Sequence, residues 1–591
     1  MTYLNIDNRS VNDGLQGLLE RLRQEETRLS LTGLGLEDIE LDETLLQALV
    51  DVLRLHHANN TTRKPATTLI KLSICNCQPN PFLEYLLEAA VGMDLFEEIE
   101  IQGASDESML EEQHQRILSQ QQNPEPNDED LDNENEIDDD AIQDVPLFAI
   151  DALGFRIKFA RRLRKLELIN LLLTTDHVES LVFGIETNVQ VGCQLTTLLL
   201  EGIIFVDNAG ETVQELCDGL ANNKTLRMIE IQRCRLTDHH VSLIFGALSS
   251  HPTLTTLKLA ENHCRREGLK ALDRLLTNPD VGSVDDNNTK TMHCQLSVLD
   301  LSHQVVSSDS FATETQFQLD FLSTQLIHGP AFYYPSLETL NLSGNQLQDS
   351  DMESVVTLIQ RFPSLIDLDL RFNDITADGL QLFADISMQN MEGTFQHYCG
   401  LQPLRLTNNP LTQQASSILL ELVKIYPRLS VIQSNVESCE QLGGEALVAQ
   451  RALEHWMDIN WAGRVLLMNQ PNGDSDGYTR DRTVNDVTKR KKLPLGLWPN
   501  VLARLTKTGL YSINRQPSLN KRNANGLYHL IRHGPFFVED IQELVSKKPM
   551  DNKFSTDDGY SHQTRGKRKR DAALGGYSSV TEFLFHDSKG R

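Results

Sequence analysis

Three groups of residues in this 591-residue chain have side-chain types and spacings that could do chemistry, and in each case the chemistry would be metal binding. Cys75-Asn-Cys77 is half of a thiolate site, but a closed tetrahedral site needs a second pair or histidines at finger spacing, and neither follows. The adjacent pairs His56-His57 and His239-His240 point apart on a helix or a strand, so neither pair shares one ion easily, and they read as surface residues. His529 and His533 fall on one helical face with Glu539 beyond them, yet Gly534-Pro535 ends such a helix. The sequence contains no Gly-x-x-x-x-Gly-Lys-Ser/Thr phosphate loop, no Gly-x-Ser-x-Gly elbow and no His-Glu-x-x-His helix. The expectation is a protein that is not an enzyme and needs no metal or other cofactor.

A different pattern fills most of the chain. Leu254-x-x-Leu257-x-Leu259-x-x-Asn262, Leu337-x-x-Leu340-x-Leu342-x-x-Asn345 and Leu365-x-x-Leu368-x-Leu370-x-x-Asn373 are copies of one another, the last two 28 residues apart. Further units are anchored at Leu69, Phe96, Leu163, Leu195, Leu226, Leu296, Leu401 and Leu429, with a degenerate one around Leu29. Such self-similarity marks a solenoid, in which units too small to bury an apolar face alone stack to share one core. Leu368 and Leu370 alternate with Asp367, Asp369 and Arg371, which is the period of a half-buried strand. Met352, Val355, Val356 and Ile359 share one face of a helix in the preceding unit. Alternating periods of two and 3.6 predict an α/β fold, a parallel sheet lined by helices.

The pattern resembles the leucine-rich repeat family, specifically its ribonuclease-inhibitor type, over roughly residues 26 to 435. The resemblance implies a curved parallel sheet with outer helices. It implies that Asn262, Asn345, Asn373 and Asn409 hydrogen-bond the tight turn leaving each strand, with Cys77 and Cys234 as allowed alternatives; Leu171, Ile203 and Gln304 depart from that rule. It also implies that outward strand residues form a concave binding surface. Glu230, Lys258, Asp300, Asp367, Asp369, Arg371 and Arg405 are the candidates there, the last four as neighbours on adjacent strands. This surface is polar with interspersed charge, which suits a protein partner and not a small-molecule substrate.

Charge divides unevenly: residues 436–591 hold 24 Lys+Arg against 18 Asp+Glu, and residues 1–435 hold 30 against 65. So negative a body argues against direct nucleic-acid binding. Met1 to Leu15 has no basic start followed by an apolar run, and no stretch reaches membrane-spanning length, so a soluble, cytoplasmic protein without membrane contact is expected. Nine cysteines at irregular spacings make no disulfide framework. Residues Glu125 to Asp144 include eleven acidic side chains and no Lys or Arg, which reads as a disordered insertion at about 120–145. Six cations follow it: Arg156, Lys158, Arg161, Arg162, Arg164 and Lys165. Phe332, Tyr333 and Tyr334 stand together in a second insertion and read as packed beneath a loop.

The solenoid is assigned to residues 1–435, a helical C-terminal cap module to 436–548 and a disordered basic tail to 549–591. Gly444 to Trp456 reads as a helix covering the last apolar layer. Segments 458–467, 493–505 and 526–537 resemble the C-terminal module of uncharacterised leucine-rich repeat proteins from diatoms. Lys567, Arg568, Lys569 and Arg570 form a basic run suited to a nuclear import signal. The leading expectation is a non-enzymatic scaffold binding a protein of unspecified identity. The alternatives are a GTPase-activating protein, because an acidic segment on such a solenoid resembles the activator of the Ran GTPase, and an acidic histone-binding nuclear protein.

Overall fold

The computed structural model describes residues 2–7, 31–61, 69–77, 80–103, part of 108–115, 150–186, 194–206, 210–276, 295–304, 336–362, 364–389, 400–438 and 444–462. The acidic insertion, the aromatic triplet at 332–334, the cap module beyond residue 462 and the basic tail with Lys567 to Arg570 lie outside them. Contacts divide the chain into two units, Met1–Val545 and Ser546–Arg591, and the described residues all belong to the first.

Within that unit the strands are β1 (Thr2–Asp7), β2 (Leu31–Glu37), β3 (Lys71–Cys75), β4 (Glu98–Gln102), β5 (Lys165–Ile169), β6 (Leu172–Leu173), β7 (Thr197–Glu201) and β8 (Ile204–Phe205). They continue as β9 (Met228–Gln232), β10 (Thr256–Lys258), β11 (Val298–Asp300), β12 (Thr339–Asn341), β13 (Asp367–Asp369), β14 (Pro403–Arg405) and β15 (Val431–Gln433). Helices separate most of them: α1 (Glu43–Thr61), α2 (Pro81–Gly92), α3 (Ile150–Ile157), α4 (Thr175–Glu186), α5 (Glu211–Asn222) and α6 (Asp238–Leu248). The later ones are α7 (Arg266–Leu276), α8 (Met352–Arg361), α9 (Ala377–Gln389), α10 (Ala415–Ile425) and α11 (Gly444–Ala462). All strands but β6 and β8 pair in parallel, in chain order, into one 13-stranded sheet. This is the α/β leucine-rich solenoid expected from the repeat.

Leucine spacing drives the stacking. Leu254, Leu257 and Leu259 are fully buried, as are Leu365 and Leu370 three units away. Each such side chain contributes about 1.5–3 kcal/mol when removed from water, and a unit standing alone would forfeit most of it. The first full unit is anchored at Leu31 rather than near Leu29: Leu31, Leu34, Leu36 and Ile39 are its buried positions. Ahead of it, β1 adds a strand that the leucine pattern does not mark, because only Leu4 and Ile6 of the pattern are present; they pair level with Leu34 and Leu36. His56, read as a surface residue, is buried on α1, while His57 is exposed and its Nδ1 lies 2.9 Å from the Met93 carbonyl.

Polar side chains tie one repeat to the next. Asp238, in the first turn of α6, accepts hydrogen bonds from the Arg265, Glu267 and Gly268 amides and so caps α7. Asp349 does the same for α9 through the Thr376 amide and hydroxyl. His240 closes a capping box with Thr237 at the start of α6, a role its pairing with His239 conceals in the sequence. At the far end α11 buries Leu453, Trp456, Met457 and Ile459, and the Asn460 amide donates to the carbonyls of Val423, Tyr426 and Leu429.

His251, just after α6, is 1% exposed, and neither ring nitrogen has a hydrogen-bond partner among the described residues. Burial pushes its imidazole down to about 4 from 6.5. The unfolded chain therefore binds a proton that the folded chain refuses. Stability from this group is complete above pH 6.5 and is lost as pH falls toward 4. At pH 5 the loss is about 2 kcal/mol. His251→Leu is expected to remove that part of the pH dependence in urea unfolding at pH 7 and pH 5; an unchanged dependence would show that the imidazole is not responsible.

Candidate protein-binding face

Most of the described turns from β9 onward are built on one buried polar side chain. The Asn373 oxygen accepts from the amides of Asn345 and Leu347, and its NH2 donates to the carbonyls of Leu342, Leu370 and Arg371. Asn262 makes the same set with Cys234, Leu236, Ile231, Leu259 and Ala260. Asn345 accepts from Gln304 and donates to Leu301, and Asn409 accepts from Ile375 and donates to Leu370 and Leu406. Gln304 fills the position in its own unit, accepting from Cys264 and donating to Leu259 and Ser302. Cys234 donates its thiol to the Leu200 and Gln232 carbonyls.

Where Leu171 and Ile203 replace the asparagine, the chain satisfies its backbone differently. β6 and β8 form a small second sheet, extended by the Ile204 amide donating to Leu171 and the Val206 amide to Leu173. Apolar residues are affordable there because strand pairing takes over the hydrogen bonds.

The half-site Cys75-Asn-Cys77 gains no metal character. The Cys77 thiol donates to the Cys75 carbonyl, and burial pushes its pKa up to about 11, far from a ready thiolate. Among the described residues, no group of three or more His, Cys, Asp or Glu side chains could hold a metal ion.

The sheet turns its leucines into the core and its intervening residues to the other, open face. Register places Glu230, Lys258, Asp300, Asn341, Asp369 and Arg405 in one row across β9 to β14. All seven candidate binding residues are therefore on this face or its edge, and each is engaged. Glu230 and Lys258 pair at 2.8 Å. Asp300 accepts from the Ser302 hydroxyl and the Asn341 amide. Asp367 pairs with Arg405 at 2.5 Å across β13 and β14, and Asp369 pairs with Arg371 at 2.6 Å along its own strand. The Asp369 hydrogen bond holds the Arg371 guanidinium above its usual pKa.

Pairing continues toward the N-terminus. Lys71 meets Glu100 at 2.5 Å, Lys165 meets Glu167 at 2.5 Å and Arg233 meets Glu201 at 2.6 Å. Burial alone would raise the Glu100 pKa; the Lys71 ammonium and the Ser73 hydroxyl more than offset it and hold the carboxyl below its usual range. A bare row of charges would attract any counter-charged surface, whereas the ion pairs on this face present opposite charges in fixed positions.

One apolar element interrupts it. The residue before the asparagine position is left-handed in unit after unit: Arg233, Glu261, His303, Gly344, Phe372 and Asn408 have φ between 54° and 70°. Gly344 is needed because the His303 ring fills the space a Cβ would take. His303 reaches over it to the Phe372 ring, centroids 6.1 Å apart, and Phe372 is 51% exposed. An exposed phenylalanine in a conformation costly to L-residues is a patch that sequence reasoning missed; the signal is Phe at a position where the turn favours Gly or Asn.

Residues 335–356 and 363–384 match the family model described as Leucine Rich repeat, and these segments include β12, the first half of α8 and β13. Among curated proteins, the chain is 30% identical over 216 residues to the mouse (Mus musculus) NACHT, LRR and PYD domains-containing protein 12, covering 36% of this chain and 20% of that protein. It is 25% identical over 280 residues to the mouse protein 14 of the same name series, covering 47% of this chain and 24% of that protein. The chain thus matches about a fifth to a quarter of the length of these relatives. A crystal structure of a TLR13–ssRNA13 complex aligns over 73% of this chain and 50% of that chain, with 12% identity and a TM-score of 0.33.

Proposed function

We propose that this chain is a non-enzymatic protein-interaction scaffold, a leucine-rich repeat solenoid of the ribonuclease-inhibitor type, which binds a protein partner on the open face of its sheet. The observation that carries this reading is the combination of ion pairs, Asp367 with Arg405 and Asp369 with Arg371, beside the exposed Phe372. Apolar anchors ringed by satisfied polar groups are the usual anatomy of a protein contact. The full helix in most described units supports the ribonuclease-inhibitor type. Leucine-rich repeats also occur by name in the relatives, which fits a binding role. The reading assigns the protein to the cytoplasm, with no cofactor, small-molecule substrate, membrane or nucleic acid as its ligand. Among the described residues no helix is long and apolar enough to cross a membrane. The GTPase-activator and histone-binding alternatives rest on the acidic insertion and the basic run, which lie outside the described residues.

The test exchanges a pair instead of destroying it. Asp367→Arg with Arg405→Asp keeps two opposite charges on β13 and β14 but reverses their order. The pair is partly buried, and ion pairs still open to solvent are worth about 1 kcal/mol, so the melting temperature is expected to move by less than about 4 °C. Capture from native lysate by wild type and by the exchanged variant is then compared. A partner retained by wild type and lost by the folded variant places binding on this face; identical partner lists reject it.

A further inference from the structure

The described residues leave nine large apolar side chains exposed, and five of them, Phe82, Tyr85, Phe155, Phe159 and Phe183, lie on or beside the consecutive outer helices α2, α3 and α4. Those of α3 and α4 meet directly, and an ion pair links α3 to α2. Phe155 and Phe183 stack with centroids 5.4 Å apart, the Lys158 ammonium sits 4.2 Å above the Phe183 ring, and Arg156 on α3 reaches Glu88 on α2 at 3.6 Å. Phe155 and Phe159 remain 54% and 58% exposed. Contiguous exposed aromatics on a soluble body mark an interaction site more often than chance surface.

The charges around this patch differ from those of the open face. Lys71, Lys165, Arg233, Lys258, Arg371 and Arg405 on the strand side each have a carboxylate partner. Lys158, Arg161 and the Arg162 guanidinium have none among the described residues, although the chain as a whole carries 83 acidic against 54 basic side chains. Cations without a carboxylate partner among the described residues, beside exposed rings, make a local field that an incoming anion can complete.

We propose that the outer surface of α2, α3 and α4 is a second docking site, which takes an acidic segment of a partner protein carrying apolar anchor side chains. Its apolar residues lie on the Phe155, Phe159 and Phe183 rings, and its carboxylates meet Lys158, Arg161 and Arg162. Charge complementarity selects the acidic segment, and the aromatic patch supplies the area that charge alone does not. An anionic membrane has the same local chemistry, but it extends far beyond the patch and would face the net charge of −29. A short segment stays within a Debye length of the cations.

The experiment pans a display library of random twelve-residue peptides on the full chain. Three variants run beside wild type: Phe155→Ser with Phe159→Ser, Lys158→Glu with Arg161→Glu, and the open-face exchange of Asp367 and Arg405. All substituted side chains of the first two variants are at the surface, and matched melting curves establish that they fold. The expected result is enrichment of peptides combining Asp or Glu with Leu, Ile or Phe. The synthetic consensus peptide is expected to bind the first two variants at least about tenfold more weakly by fluorescence anisotropy, and the open-face variant as tightly as wild type. No acidic-apolar consensus, or equal affinity for all variants, overturns the proposal. Sedimentation of wild type but not the serine variant with phosphatidylserine vesicles overturns it in favour of a membrane. A further panning uses a chain lacking residues 124–144, and enrichment that appears only there assigns the patch to this chain's own acidic stretch and likewise overturns the proposal.

Discussion

Asn373→Ala is expected to lower the unfolding free energy by about 3–5 kcal/mol, one of the largest effects a single polar substitution has on such a protein. The reason is the number of backbone groups that depend on this one amide. Truncation leaves the Asn345 and Leu347 N–H groups and the Leu342, Leu370 and Arg371 carbonyls short of a partner, where water does not reach them freely. Each buried, unsatisfied group costs on the order of 1–3 kcal/mol, and relaxation recovers some of the sum. Gln304→Asn is the matched control, expected within about 1 kcal/mol of wild type, because Gln304 already performs the same bonding with a longer side chain. Urea unfolding of both variants decides the point. A cost below about 1 kcal/mol for Asn373→Ala would mean that the turns hold without their asparagine.

The second large effect comes from two glycines that bring α3 against α4. A Cβ at Gly154 would lie 2.4 Å from the Ser180 carbonyl carbon and oxygen, and one at Gly184 would lie 2.2 Å from the Gly154 oxygen. These contacts are with backbone, which cannot rotate away. Gly154→Val is therefore expected to cost about 3 kcal/mol and to part the Phe155 and Phe183 rings. In a stacked array the damage stays near its origin, so hydrogen exchange is expected to speed up in β5 and β7 while β12 to β14 keep their protection. Gly246→Ala is the counter-case: nothing lies within 4 Å of its Cβ, and alanine in this last turn of α6 is expected to gain up to about 0.5–1 kcal/mol. Uniform exchange along the whole sheet in Gly154→Val would contradict the local picture.

The architecture was legible because its main signal is short-range and repeated. Leu365-x-x-Leu368-x-Leu370 assigns inside and outside with no knowledge of neighbours, and the 28-residue interval sets which strands stack. The candidate site was legible only as far as the face. That Arg405 would take Asp367 and leave Asp369 to Arg371 depends on choices between carboxylates 36 and 38 residues away, all open to it in a list of outward positions. Leu171 and Ile203 looked like defects in the turn because the compensation, pairing of β6 with β8, lies between two repeats. Gly154 and Gly184 gave no signal, since a glycine that merely weakens a helix and one that admits another backbone look alike in one sequence. β1 was missed because its unit lacks the leading leucine.

The paired state of the open face bears on how quickly a partner arrives. The ion pairs of this surface cancel one another locally, and the net negative charge of the body is screened within about 8 Å in physiological salt, so the face gives an approaching protein little orientation from a distance. Association through it belongs in the unsteered range, on the order of 10⁵–10⁶ M⁻¹ s⁻¹, with weak dependence on ionic strength. Selection between partners then falls to residence time: a partner whose groups fit the fixed pairs of Asp367, Arg405, Asp369 and Arg371 stays, and one that must break them leaves.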